Sequence, residues 1–184
     1  MTLPFATALD APTGAMNPHE LVVERRVSEL LDAFADTDAA RTLAEDGNPV
    51  VYRAFEAAVP HEGTHLVYRT TVIEPGAVGD EFFMTKGHHH VRDSAELYYG
   101  MAGTGMMVMQ DRAGSVRTVD MPTGTAVYVP PAWAHRTVNV GDVPLVFLAV
   151  FQGDAGHDYA AMEDEGFALR IVRDGDGGTH VVGH

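Results

Sequence analysis

The sequence predicts an all-β protein, a small antiparallel barrel or sandwich entered through a short helical lead-in. Two observations lead there. From residue 49 onward, short runs rich in β-branched and aromatic residues follow one another, each closed within a few residues by Gly, Pro or Asp. Before residue 49 that texture is missing, and alanine-rich segments with helical spacing take its place. A chain of 184 residues makes one domain the default, so we divide it only into an N-terminal extension, 1–48, and a barrel, 49–184.

In chain order, residues 1–27 read as loop, with turn signals at Ala11-Pro12-Thr13-Gly14 and Asn17-Pro18. Val27 to Phe34 has helical spacing, with Ser28 as its N-cap, and Asp36 to Ala44 forms a second short helix ending near Gly47. Val50-Val51-Tyr52 opens the first barrel strand. Leu66 to Ile73 alternates as a second and stops at Glu74-Pro75-Gly76. Further strands are expected at 81–85, 88–91, 95–101, 105–110, 115–121, 125–129, 134–139 and 144–151. Residues 157–166 suit a helical turn. A last hairpin runs from Phe167 to Arg173 and back from Thr179 to Val182. Strands this short protect their edges by closing or stacking.

Net charge is −14, which argues against a nucleic-acid partner. No apolar run reaches the length of a membrane span, and the first residues lack a basic start followed by an apolar block. There is no cysteine, which excludes thiolate ligands and disulfides and fits a cytoplasmic location. Lys86 is the only lysine and stands beside a run of histidines.

That run, Gly87-His88-His89-His90, carries the chemistry. His88 and His90 are two apart, so on an extended segment their imidazoles share a face, while His89 points outward to the other. Glu96 follows a turn at Arg92-Asp93-Ser94, and the return strand brings it beside the pair. His135 follows the rigid Pro130-Pro131. Three imidazoles and one carboxylate suit one divalent ion with open positions for substrate oxygens. Fe²⁺, Mn²⁺, Ni²⁺, Co²⁺ and Zn²⁺ all accept such ligands. Elsewhere, His19, His61, His65, His180 and His184 align with no constellation.

Gly103 beyond Glu96, Gly124 before Pro130, and His135 before Asn139 resemble the two motifs of the cupin superfamily. The likeness to one branch is closer. The runs Glu81 to His90, Ala95-Glu96-Leu97-Tyr98, Val127 to Asn139 and Asp154 to Tyr159 are similar to the cupin-type phosphoglucose isomerases, known mainly from archaea. Pro49 to Tyr52 and Thr70 to Gly76 extend the likeness over most of the chain. It implies a double-stranded β-helix (jelly-roll) barrel, a metal, usually ferrous iron, held by His88, His90, Glu96 and His135, a substrate pocket inside the barrel, and a homodimer. Two departures stand out. Ala132 occupies a position that is commonly Gly in cupins and aromatic in this branch, and Phe151 stands where the branch has tyrosine.

The activity implied is interconversion of glucose 6-phosphate and fructose 6-phosphate, which moves a hydrogen between C1 and C2. No arginine cluster for the phosphate is visible in the sequence, so hydroxyls and backbone N–H groups are the expected partners. These are Thr71, Thr85, Gly87 and Tyr159, with Tyr52 and Lys86 next. Glu96 is the natural base for a cis-enediol route, yet a metal-bound carboxylate is a poor base. A hydride shift is the other route. His157 and Tyr98 suit the holding of hydroxyls or assistance in ring opening. Another metal-dependent cupin enzyme, a dioxygenase or decarboxylase, would use the same ligands, and a non-catalytic sugar-binding cupin is a third reading.

Overall fold

The computed structural model describes residues 3–183. The chain runs through β1 (Ala8–Leu9), β2 (Met16–Asn17), β3 (Leu21–Arg26), two 3-10 turns (Val27–Glu29 and Leu31–Ala33), α1 (Thr37–Glu45), β4 (Val50–Glu56), β5 (Leu66–Ile73), β6 (Ala77–Val78) and β7 (Glu81–Phe82). It continues through β8 (Glu96–Ala102), β9 (Thr104–Asp111), β10 (Val116–Pro122), β11 (Ala126–Val129), β12 (Trp133–Asn139), β13 (Leu145–Gln152), α2 (Ala160–Glu165), β14 (Leu169–Arg173) and β15 (Thr179–Gly183). The expected double-stranded β-helix barrel is the architecture observed. One wall is a six-stranded sheet in the order β11-β8-β13-β5-β4-β3. The other is the three-stranded β10-β9-β12, which bridges at Met84↔Val138 and His88↔His135 extend along the 84–88 segment. The closing hairpin β14–β15 joins β7 and β6 in a smaller sheet.

Strand alternation builds the interior. In β8 the burial pattern alternates strictly through Glu96, Tyr98 and Gly100, and their partners Phe151, Ala149 and Phe147 on β13 are buried with them. Met107 and Met109 on β9, with Val127 and Val129 on β11, pack into the same core. Burying these side chains contributes roughly 1.5–3 kcal/mol each before entropy is counted. Asn139, fully buried, ends β12 by donating Nδ2 to the carbonyls of Ile73 and Val143, both at 2.9 Å, and accepting the Gly141 N–H at 3.0 Å. Its side chain thereby joins β12, β5 and the turn into β13 with every polar group satisfied.

The lead-in departs from expectation. Residues 21–26, read as loop, form β3 and pair antiparallel with β4, with a register shift between Arg25 and Arg26. The charged triplet Glu24-Arg25-Arg26 masks the alternation there, and tertiary pairing overrides it. The expected helix at Val27 to Phe34 is two 3-10 turns broken at Leu30 (φ −130°). Ser28 does not cap it; the Glu29 carboxylate instead accepts the Arg26 N–H at 3.0 Å. The second helix matches, with Asp36 Oδ1 accepting the Ala39 N–H at 2.8 Å as its N-cap. No strand forms at 88–91. His88 bridges His135 and His89 bridges Asp158, so successive residues serve different neighbours and no ladder grows.

Candidate metal centre and substrate pocket

His88, His90, Glu96 and His135 meet at one point, each offering a ligand atom within 4.8 Å of the others. Each arrives for a local reason. β8 begins at Glu96, pinned between Val129 on β11 and Phe151 on β13. His135 lies in β12 opposite Met109, and its backbone N–H and C=O both bond to His88. Gly87 sets the approach of His88 with φ +78°. A Cβ there would stand 2.6 Å from the Phe167 ring and 3.0 Å from Arg136 Cβ, so only glycine fits without displacement.

The hydrogen bonds around the four residues fix what their free atoms are. His90 Nδ1 donates to the Ser94 carbonyl at 2.9 Å, and His135 Nδ1 donates to the Trp133 carbonyl at 3.1 Å. A carbonyl only accepts, so in the neutral rings Nε2 carries the lone pair. Those Nε2 atoms face Glu96 Oε2 at 3.1 Å and 2.9 Å. Two acceptors at that distance repel unless a cation or a proton lies between them. His88 Nε2 is buried with no partner, and His135 Nε2, though close to Glu96, is out of line for a hydrogen bond. Orphaned nitrogen lone pairs converging on a buried carboxylate fit a divalent ion, and these four residues can hold one.

The electrostatics agree. Burial by itself would raise Glu96, but the close approach of the His135 and His90 rings outweighs it and holds the carboxyl well below its usual range. Burial, reinforced by the neighbouring His135, drives His88 far down, so its ring is neutral. Burial opposes the charged form of His90 too, yet the Glu96 carboxylate wins and its pKa rises. His157 is held down to about 4, by burial first and then by the Arg69 charge.

His88, Glu96 and His135 of the cluster line a cavity of about 440 Å³ inside the barrel. A sequence model of glucose-6-phosphate isomerase matches residues 24–182. The glucose-6-phosphate isomerase of Thermococcus litoralis is 44% identical over 93% of this chain and 90% of its own length. That of Pyrococcus furiosus is 43% identical over 97% and 94%, and that of Sinorhizobium medicae 39% identical over 97% and 85%. The chain belongs to the glucose-6-phosphate isomerase family. A solved oxalate decarboxylase of Bacillus subtilis is similar over 56% of this chain and 26% of its own, at 30% identity and TM-score 0.47.

Within this isomerase-family pocket, Tyr52, Thr71, Thr85, Lys86, Gly87, Tyr98, His157 and Tyr159 all line the cavity with His88, Glu96 and His135. His157 and Tyr159 stack at 5.9 Å, with their planes 9° apart. Burial pushes the Tyr52 hydroxyl up to about 12, and burial beside Glu96 raises Tyr98 well above the usual range, so both stay protonated donors. Thr85 is partly spent on the scaffold, because its Oγ1 accepts the Thr137 N–H at 3.0 Å. His89 is not outward-facing in the sense of exposed. It is no member of the cluster but is only 2% exposed, and its backbone exchanges two hydrogen bonds with Asp158.

Sequence reasoning missed the pocket's arginines. Arg25 from β3 and Arg69 from β5 line the cavity together with Lys86, three cations that no stretch of sequence brings together. Arg69 was findable: it lies two residues before Thr71 and so shares its strand face. Arg25 was hidden by the loop reading of β3. Ala132 and Phe151 both lie outside the cavity lining. Ala132 takes φ +67°, the left-handed conformation that accounts for glycine in the wider motif. Phe151 packs beneath, its ring 5.4 Å from His157.

Proposed function

We propose that the protein is a metal-dependent aldose–ketose isomerase interconverting glucose 6-phosphate and fructose 6-phosphate. The observation that carries this reading is a single cavity lined both by members of the His₃Glu cluster and by cations and hydroxyls. His88, His90, Glu96 and His135 hold the ion, which we take as Fe²⁺. When bound, it polarises the oxygens on C1 and C2. Tyr52, Thr71, Thr85, Lys86, Gly87 and Tyr159, joined by Arg25, receive the phosphate.

Glu96 is ionised, buried and depressed, which suits a ligand better than a base. His157, neutral above about pH 4 and stacked on Tyr159, accepts a hydrogen bond from a sugar hydroxyl and can take a proton during ring opening. Tyr98, held protonated, donates to a sugar oxygen beside Glu96. Transfer of the hydrogen between C1 and C2 runs as a sheltered proton transfer or as a hydride shift. Substrate deuterated at C2 separates the two, since substantial loss of label to solvent excludes an obligatory hydride shift.

We place the enzyme in the cytoplasm, where its sugar phosphates are, and read it as a homodimer. Support for the dimer comes from the outer face of β8 and β11, where Leu97 (44%), Tyr99 (45%) and Tyr128 (60%) are exposed side by side. The test of the activity is a coupled assay of fructose 6-phosphate isomerisation on as-purified, chelator-stripped and metal-restored protein, with and without O₂. Activity that follows the metal and ignores O₂ is expected. Silence in every metal state would overturn the proposal.

A further inference from the structure

The face of β5 that carries Thr71 also carries Arg69, and its surroundings are those of a positioned group. Arg69 pairs with Glu56 on β4 and with Ala149 on β13. Glu56 is 5% exposed and receives Arg69 Nε at 3.0 Å, Arg69 Nη2, and His61 Nε2 at 2.6 Å. Nε and Nη2 both converge on Glu56 Oε2 while His61 occupies Oε1, and two N–H contacts on one edge fix the plane of a guanidinium as a single contact cannot. Burying such a pair is poor value for stability, because desolvation offsets much of the attraction. The grip engages Nε and Nη2, while Nη1 donates no hydrogen bond to protein among the described residues.

Arg69 stands next to residues that border the metal cluster. Its Cζ lies 5.0 Å from the centroid of Phe151, the β13 partner of Glu96. Across the sheet, the neighbour beyond Ala149 is Tyr98, so a methyl group is all that separates Arg69 from the tyrosine next to the cluster. Its charge is felt at both His157 and Tyr98.

We propose that Arg69 is a catalytic residue of the isomerase, its guanidinium held by Glu56 and His61 so that Nη1 donates to the substrate oxygen on which negative charge develops. This rests on the isomerase reading above. In the proton-transfer route a base beside the substrate, Glu96 or His157, takes the C2 proton and returns it to C1; the C2–H pair forms the C1=C2 bond, the carbonyl π pair moves onto its oxygen, and Arg69 stabilises that oxygen without giving up its own proton. A preorganised donor of this kind acts mainly on the transition state.

The test measures kcat, KM and metal content for wild type, Arg69→Gln, Arg69→Lys and Glu56→Gln, with affinity for a phosphorylated aldonate whose carboxylate mimics the charged intermediate. Arg69→Gln should lower kcat by about 100-fold, the usual loss for one such donor, with metal content intact and KM for fructose 6-phosphate little changed. Aldonate affinity should fall in parallel. Arg69→Lys keeps the charge but not the fork and should recover only part of the rate. Glu56→Gln keeps the shape and loosens the grip, so kcat should fall by about tenfold even if Arg69→Gln does not fold. Active wild type beside variants of unchanged kcat, or variants altered only in KM or in thermal stability, would overturn the role of Arg69 and leave the isomerase reading standing. Inactive wild type in every metal state would remove the isomerase reading itself.

Discussion

Arg69 and Tyr98 flank Ala149 in one cross-strand row, Arg69 from β5 and Tyr98 from β8, with all three on the inner face of the large sheet. The two functional side chains therefore reach over the smallest residue that can stand between them. Ala149 is 2% exposed and lines the cavity, so its methyl group forms part of the cavity floor.

Enlarging that residue tests the row. Ala149→Leu should cost about 1–3 kcal/mol of stability through overpacking, and it should push Arg69 and Tyr98 apart. Displacement on this scale is expected to lower kcat/KM by about tenfold or more, while the four metal-site residues, none of which pairs with Ala149, retain the ion. Urea unfolding, steady-state kinetics and metal analysis separate these effects. Near-wild-type kcat/KM in a folded variant would show that the floor tolerates the added volume.

Metal removal should be visible in stability as well as in rate. An ion at about 100 times its Kd adds roughly 2.7 kcal/mol to the folded state, about 5–10 °C in Tm for a chain of this size. Stripping should lose that increment and re-addition restore it. In His135→Ala and Glu96→Gln both the increment and turnover should disappear, because each removes a buried ligand atom from the cluster. A variant with full metal content and wild-type rate would take its residue out of the site.

Gly87→Ala places a methyl group against Phe167 and Arg136 in a residue with φ +78°. Strain of that kind costs about 1–3 kcal/mol. Because the next residue is His88, whose backbone bonds to His135, the shift should also weaken metal retention. Chemical denaturation and a metal-release time course check the two halves. Unaltered stability would mean that the Phe167 ring moves aside freely.

Much of this site was legible because strand period alone sets the side of a residue. His88 and His90 share a face two residues apart, and the same rule puts Arg69 beside Thr71, although the arginines form no cluster along the sequence. Period does not say whether a face is covered. His89 is no member of the cluster, yet it is buried and its backbone pairs with Asp158, a contact across more than a third of the chain that no local pattern encodes. β3 was illegible for a different reason. Its pairing with β4 tolerates three consecutive charged residues because Glu24 accepts Arg53 Nε at 2.8 Å and lies 2.7 Å from Arg26, while Arg25 turns into the cavity wall. Cross-strand partners, invisible in the local sequence, satisfy that strand.

The acid response of the stripped protein follows from His157. Its folded pKa, held at about 4, lies below its ordinary 6.5. Above 6.5 neither folded nor unfolded chain carries the proton. Between 6.5 and about 4 the unfolded chain binds a proton that the folded one refuses, so stability must fall as pH falls through that window. The raised pKa of His90 acts in the opposite sense, contributing stability on the acid side that is lost as pH rises. Comparison with His157→Asn removes this complication, since both proteins keep His90. The variant's urea midpoint should therefore decline less than wild type between pH 7 and pH 4.5, with the two curves diverging only below about pH 6.5. Curves that stay parallel over that range would mean that His157 takes up its proton in the folded protein as readily as in water, and that its burial against Phe151 and Tyr159 is not what keeps the ring neutral.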